Sequence, residues 1–405
     1  LVYLAREKIL ESTGRCDGAD YFSPEAYFGQ MKKGHSFTGF FSLFLAAVIC
    51  FFSAREFLYL HQEEAIYPSR GLTVKKKLSD YFSGLKNSPG DSDIYIFEGQ
   101  RAGGTLFILG GTHPNEPAGF ITAVLLVENL MVTEGRIIIV PRANNSGFMH
   151  NDPQEGNPQK YFIDTKGGKR WFRYGSRLTN PIHQWPDPIL YVNPAGQKLS
   201  GTESRNLNRC YPGKDKGFLT EKIAWSIMEV LRRERADLAI DLHEAAPEYP
   251  VINAMVFHEN SAELAAMAMM KLQMEGMDIR LEASPPNLRG LSHREWGDFT
   301  ATRAILLETA NASHGRLKGK PSASLILEGK DKNYEKAAHL GLLFVPFGQE
   351  GIPLPHRVAR HLASIAALLE SLRELHPELS IRVKNIPSAE EVQKAGIGAF
   401  LHPPK

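Results

Sequence analysis

Thr105-Leu106-Phe107-Ile108-Leu109-Gly110-Gly111-Thr112-His113-Pro114-Asn115-Glu116 reads as an apolar strand that runs into two glycines and then offers His-x-x-Glu. Imidazole nitrogen and carboxylate oxygen are both ordinary zinc ligands, and a catalytic zinc takes three protein ligands with a further position open. One turn at a strand end can present His113 and Glu116 to a single point, so a third ligand is expected from a distant segment. Residues 236–244 form a second apolar run ending in polar groups, Asp241-Leu242-His243-Glu244. Open α/β sheets place their sites at such strand ends. This run offers His243. Asp241 stands two residues earlier, on the same face of a strand, where it can orient an imidazole.

Two more segments carry chemistry. Asn206-Leu207-Asn208-Arg209 sits in a turn-rich stretch before a helix, and an arginine fork suits a carboxylate. The run Ala304-Ile305-Leu306-Leu307-Glu308 ends an apolar strand in a carboxylate. That placement is costly without a partner or a task, and a general base acting on water is such a task. The plainer alternatives are a solvated loop for Arg209 and an arginine-paired rim glutamate for Glu308.

Together these segments resemble the zinc carboxypeptidase superfamily, in particular its succinylglutamate desuccinylase and aspartoacylase branch. Gly110 to Glu116 is similar to that branch's Gly-Gly-x-His-x-Asn-Glu, and Asn206 to Arg209 to its Asp-Leu-Asn-Arg. Asp241-Leu242-His243 is similar to its Asp-Leu-His, and Leu307-Glu308 falls where its catalytic glutamate is expected. The likeness runs from about Ile94 to Leu375. It implies an α/β fold with a mixed central sheet flanked by helices. It also implies one zinc ion per chain held by His113, Glu116 and His243, with Glu308 as general base and Asn208 and Arg209 holding a substrate carboxylate. The superfamily's carbonyl-polarising arginine is implied as well. Arg177 is the first choice because it precedes the Asn-Arg pair, with Arg205 and Arg142 as alternatives. Arg205, Arg289 and Arg294 are further substrate-binding candidates, the last two in a segment expected to line the pocket and select an anion.

The implied activity is hydrolysis of an amide bond next to a carboxylate, as in N-acyl amino acid deacylation. The alternatives are an extracytoplasmic metallocarboxypeptidase or amidase acting on peptides such as cell-wall stem peptides, and an inactive zinc-binding homologue. Three features depart from the pattern. Asn206 replaces an aspartate, no tyrosine stands just before Glu308, and the chain after Glu308 reads as helix rather than a C-terminal β domain.

At 405 residues, 43% hydrophobic and 23% charged, the composition is that of a globular protein with a sizeable core. A net charge of +2 gives no basis for nucleic-acid binding. Cys16, Cys50 and Cys210 are too scattered for a disulfide framework or a cysteine metal site.

Residues 37–54 carry no charge and follow Lys32 and Lys33, which fits a transmembrane helix or a signal-peptide core. Phe52 stands where cleavage after Ala54 would want a small residue, so an uncleaved anchor is expected, with the catalytic domain outside the cytoplasm. A secreted or periplasmic form after cleavage is the alternative. The expected organisation is an upstream or unstructured segment (1–30), because Met31-Lys32-Lys33 resembles the start of an export signal. An anchor or signal (31–60), a linker (61–92), one catalytic domain (93–376) and a tail (377–405) follow. Within the domain, strands at 93–98 and 105–109 are expected side by side. A long loop over 143–206 with Trp171 and Trp185 is expected to wall the site, and Thr220 to cap a helix. The expected partners are a small-molecule or peptide substrate bearing a carboxylate, and the membrane.

Overall fold

The computed structural model describes residues 24–151 and 158–404, with side chains from residue 37 onward. Cys16 and most of the 1–30 segment lie outside the described residues. The chain divides into two units, Leu1–His61 and Gln62–Lys405.

The first unit holds helix α1, Pro24–Leu60, which begins inside the segment expected to be unstructured. Its stretch Phe37–Leu60 is long and apolar enough to cross a membrane by length and composition. Its large side chains, such as Phe40 and Leu43, point to the outside.

The second unit is built on a mixed sheet. Its strands are β1 (Val74–Lys77), β2 (Asp93–Glu98), β3 (Arg101–Leu109) and β4 (Met131–Val140), and, beyond two small hairpins, β9 to β13. The first hairpin is β5 (Lys160–Thr165) with β6 (Gly168–Arg173), and the second is β7 (Leu190–Val192) with β8 (Lys198–Ser200). The remaining sheet strands are β9 (Leu238–Ala245), β10 (Ala254–Phe257), β11 (Arg280–Ala283), β12 (Arg303–Ala310) and β13 (Arg382–Lys384). The order is β1-β2-β4-β3-β9-β12-β10-β11, with β13 also on β4. The central strands β4, β3, β9 and β12 are parallel neighbours, whereas β10 runs antiparallel to β12. All eight residues of β9 are buried, as expected for a strand covered on both faces.

Helices α2 (Pro117–Asn129), α4 (Ala262–Met274) and α6 (Leu354–Leu375) cover one face, and α3 (Leu219–Arg233) and α5 (Ser292–Phe299) the other. The spacing of Val358, Leu362, Ile365, Leu369 and Leu372 gives α6 one apolar stripe, which packs with Leu106, Ile108 and Leu242. On α3, Ile223, Ile227 and Leu231 meet Phe107 and Leu109 from the opposite side.

Five expectations are corrected. Residues 62–92 are not a linker. β1 pairs with β2 from Val74 opposite Ile96 onward, Leu78 and Leu85 are fully buried, and Glu64 forms a buried ion pair with Arg142. The lysines that made this segment look solvated mark an edge strand, where lysine discourages further pairing. Residues 377–405 are not a loose tail either. β13 joins β4, and Ile381, Val392, Ile397 and Leu401 complete the core under α2 and α6.

β2 and β3 do not lie side by side, because β4 separates them. Gly99 passes over the start of β4 so closely that a Cβ would meet Glu134 N at 2.4 Å, and a bulge between Arg101 and Thr105 resets the register. The described residues of the 143–206 stretch include two hairpins, β5–β6 and β7–β8, and are not one continuous loop. Tyr161 and Phe172 enter the core, and Trp185 is exposed. Thr220 donates to Gln184 Oε1 instead of capping α3. The Glu221 carboxylate accepts from Phe218 N there.

A buried ion pair ties the layers together. Glu244, at the end of β9, accepts from Arg357 Nη1 of α6 at 2.6 Å and from Ala118 N of α2 at 2.8 Å, with both charged side chains out of solvent. Removing one partner of such a pair costs about 3–5 kcal/mol. Arg357→Met is therefore expected to destabilise the domain by that order, read as a lower urea midpoint at unchanged slope. A loss under about 1 kcal/mol would show that the junction does not depend on it.

Candidate functional site

The site forms at the C-terminal ends of β3, β9 and β12. After β3 the chain turns at Gly111, whose φ of +66° and 2.7 Å approach of a would-be Cβ to Pro141 O both exclude a side chain. The turn is pinned by Ala143 N to Gly110 O and Asn144 N to Gly111 O. It closes with Glu116 N donating to His113 O at 2.9 Å, and Pro117 opens α2 immediately after.

His113 Nδ1 lies 2.7 Å from Glu116 Oε1, and His243 Nδ1 lies 3.0 Å from Glu116 Oε2. These three side chains are buried, and their donor atoms all lie within 4.8 Å of one another. The opposite ring nitrogens each face a side-chain oxygen. His113 Nε2 meets Asn206 Oδ1 at 2.9 Å, and His243 Nε2 lies 2.9 Å from Asp241 Oδ2. Asp241 is itself fixed by Thr112 Oγ1 at 2.8 Å and Ser292 Oγ at 2.5 Å. Oriented imidazoles with an acceptor behind each are what a zinc ligand set requires. The donor set of two histidines and one glutamate fits zinc chemistry. Asn206 keeps the acceptor oxygen of the aspartate it replaces, and its amide donates to Glu203 Oε2 at 2.8 Å.

The charges are sorted among the three donors. Burial opposes ionisation of Glu116, but His113 and His243 hold its carboxyl well below the usual range. Burial and the adjacent Arg177 push His113 down to about 3, so its imidazole is neutral. Burial also opposes protonation of His243, yet Asp241 and Glu116 raise it well above the ordinary value.

Glu308 stands at the end of β12, in register with His243 on β9. Its Oε2 is buried without a hydrogen-bond partner. Burial pushes the carboxyl up to about 8, with His243 opposing and Glu116 adding to the shift. Arg177 Nη1 reaches Glu116 Oε1 at 2.8 Å and His113 Nδ1 at 3.1 Å. These are the atoms offered to a cation, so a bound cation and the guanidinium compete for them, and Arg177 is exposed enough to turn into the pocket. Asn208 Oδ1 accepts from Ser292 N at 2.8 Å, and Arg209 Nη1 donates to Asn208 O at 2.6 Å.

His113, Glu116, Arg177, Asn208, Arg209, His243 and Glu308 all line one cavity of about 320 Å³. A larger groove, about 730 Å³, runs along α6 beside residues 381–389 and contains none of them. Arg205, Arg289, Arg294 and Arg142 are not brought to the cavity. Arg205 forks onto Asp187 at 2.8 and 3.0 Å. Arg289 pairs with Glu295 and Asp298, each at 2.6 Å. Arg294 is buried against Glu259, Asp298 and Ser284 O, and Arg142 pairs with Glu64 and Asn145. In each case nearby acceptors claim the guanidinium before a ligand can.

The segment around Arg289 and Arg294, expected to line the pocket, reaches it through Leu288, Leu291 and His293, whereas sequence reasoning missed the rest of the apolar wall, Val256 and Leu306, and also Tyr249 and Val251. The wall had one signal: Leu306 lies two residues before Glu308, on the same strand face.

Fold and site together define an α/β domain with a His-Glu-His cluster at the ends of its central strands. Residues 187–318 match the family model "Succinylglutamate desuccinylase/Aspartoacylase catalytic domain". The resemblance to that branch of the zinc carboxypeptidase-like superfamily is thus borne out, and the matched region holds three of the four segments. His113, Glu116 and Arg177 precede the matched region, and the fold brings them to it.

Comparison with curated proteins gives no match. Similar solved structures include a succinylglutamate desuccinylase/aspartoacylase from Rhodobacter sphaeroides, with 17% identity, covering 56% of this chain and 54% of that one at a TM-score of 0.36. The cell shape determinant protein Csd4 from Helicobacter pylori has 12% identity, covering 75% and 59% at 0.43. The ectoine utilization protein EutE (DoeB) from Ruegeria pomeroyi has 20% identity, covering 63% and 66% at 0.36. The chain spans less than two thirds of the length of these structures.

Proposed function

We propose that this chain is a zinc-dependent hydrolase that cleaves an amide bond next to a carboxylate, as in deacylation of N-acyl amino acids. The observation that carries the reading is the convergence of His113, Glu116 and His243 beside a buried, unpartnered Glu308 oxygen in one cavity. His113, Glu116 and His243 would hold one zinc ion, which when bound supplies Lewis-acid polarisation and makes water more acidic.

The chain's own groups do the rest. Glu308, once ionised, takes a proton from the attacking water and returns it to the leaving amine. Arg177, turned into the cavity, donates to the carbonyl oxygen as negative charge develops there. Arg209 pairs with the substrate carboxylate, and Asn208, fixed by Ser292 N, shapes the turn that presents it. Segment Phe37–Leu60, apolar and long enough to cross a membrane, would anchor the protein, with Lys32 and Lys33 keeping that end in the cytoplasm and the catalytic unit outside.

The test is hydrolysis by the zinc-loaded chain of a panel of N-acyl amino acids beside cell-wall stem peptides, with and without a chelator. Chelator-sensitive release of free amino acid supports the reading. Stoichiometric zinc with no cleavage of any amide would leave a zinc-binding protein without this activity. The helical chain after Glu308 and the apolar α1 favour the peptide arm as the second reading.

Arg209→Ala is expected to raise KM by about 10- to 100-fold, the worth of one charged hydrogen-bonding contact, with a smaller change in kcat. Steady-state kinetics check it, and an unchanged KM would remove Arg209 from substrate binding.

A further inference from the structure

The inner wall of the cavity is apolar. Leu306, Val256 and Leu291 are 2%, 6% and 5% exposed, and all three line the cavity. Strand alternation explains two of them. Leu306 shares the face of β12 that carries Glu308, and Val256 of β10 lies opposite Leu306 in register. Leu288 and Leu291 come from the segment entering α5. That segment is tied to the carboxylate-binding turn, since Ser292 N donates to Asn208 Oδ1 at 2.8 Å and Tyr211 N to Gly290 O at 3.2 Å. A side chain attached beside a carboxylate held by Arg209 therefore falls against this wall.

The charges point the same way. Arg177 and Arg209 are the only lysine or arginine residues lining the cavity among the described residues. The reaction assigns one to the carbonyl and one to a single carboxylate. Arg289 and Arg294, which could have met a second carboxylate, are held by Glu295, Asp298 and Glu259. The nearby Glu116 and Glu308 would repel a second carboxylate. His293, 4% exposed with both ring nitrogens unpartnered, adds one polar point to the wall, and burial keeps it neutral.

We infer that the site takes a substrate with one carboxylate and an apolar side chain beside it: an aliphatic or aromatic amino acid capped on nitrogen by an uncharged acyl group. This rests on the hydrolase reading above and names its substrate class. A dicarboxylic amino acid would place an unpaired carboxylate against Leu306 and Val256, and a succinyl cap would bring a carboxylate for which the cavity offers no further lysine or arginine among the described residues, an unfavourable burial in both cases.

The experiment compares kcat/KM of the zinc-loaded full chain on N-acetyl-leucine and N-acetyl-phenylalanine with that on N-acetyl-aspartate, N-acetyl-glutamate and N-succinyl-glutamate. A preference of at least about 100-fold for the apolar pair is expected. Equal or faster cleavage of the acidic set overturns the inference while leaving the hydrolase reading intact. Leu288→Arg, a part-exposed position, is expected to shift the ratio towards the acidic set by about tenfold, and an unmoved ratio counts against the wall.

If no amide is cleaved, the hydrolase reading fails by itself. The wall is then judged by calorimetric titration of leucine, phenylalanine, aspartate and glutamate into the same chain. Tighter binding of leucine or phenylalanine upholds it. Tighter binding of the acids, or binding of none, overturns it.

Discussion

Glu308→Gln is expected to lower kcat by about 10²–10⁴-fold, the range for loss of a positioned general base, while bound zinc stays at one per chain. The two expectations separate because Glu308 is outside the donor set. The three donors are His113, Glu116 and His243, and Glu308 meets them only across the β9–β12 register. Glutamine has the same shape and removes only the ability to take a proton.

The variant should also fold well. Glu308 is a carboxylate whose Oε2 has no partner and which burial raises to about 8. A folded pKa raised above the unfolded value means that the folded state binds the proton more tightly. The wild type therefore loses stability as pH rises from the ordinary carboxyl range through about 8. The amide has no such penalty, so Glu308→Gln should match wild-type melting at acid pH and exceed it at alkaline pH. Steady-state kinetics, zinc analysis and melting curves at several pH values check the three parts. Turnover at the wild-type rate would remove Glu308 from the chemistry.

Much of this site was legible in the sequence because the chemistry sits at strand ends. Apolar runs that stop at His113, His243 and Glu308 announce parallel strands, and parallel strands in such a sheet end on one side. His113, Glu116, His243, Glu308, Arg177, Asn208 and Arg209 therefore meet in one cavity. The other arginines were misread for a physical reason. A sequence shows a guanidinium but not which carboxylate folds against it, and Arg205, Arg289 and Arg294 each found an acid first.

The sheet's edges were hidden for a related reason. The lysines of β1 and the short β13 carry little apolar pattern, and only pairing with β2 and β4 makes them strands. The order β2-β4-β3 was out of reach because it depends on a bulge and on the close approach at Gly99. Local periodicity encodes neither.

Zinc affinity is expected to rise with pH, and the slope reports which groups give up protons. Ligands must be deprotonated to bind. Glu116 is held ionised and His113 neutral, so neither has a proton to lose near neutrality. His243 does, because Asp241 and Glu116, against burial, raise it well above its ordinary 6.5. Glu308 also holds a proton below about 8, and a divalent cation beside it favours the ionised form. Two protons should therefore leave when zinc enters between pH 6.5 and 8, and affinity should climb by about a hundredfold per pH unit, tenfold for each proton displaced. In Glu308→Gln only the His243 proton remains, and the climb should fall to about tenfold per unit.

Competition against a chelator of known affinity at a series of pH values measures both slopes. His243→Ala provides the other control. It removes a donor as well as the proton, so zinc binding should weaken by orders of magnitude and its climb should fall to the roughly tenfold per unit that Glu308 contributes. A wild-type climb of only about tenfold per unit, with none left in Glu308→Gln, would mean that His243 enters the site already neutral. The pairing with Asp241 would then orient the ring without charging it.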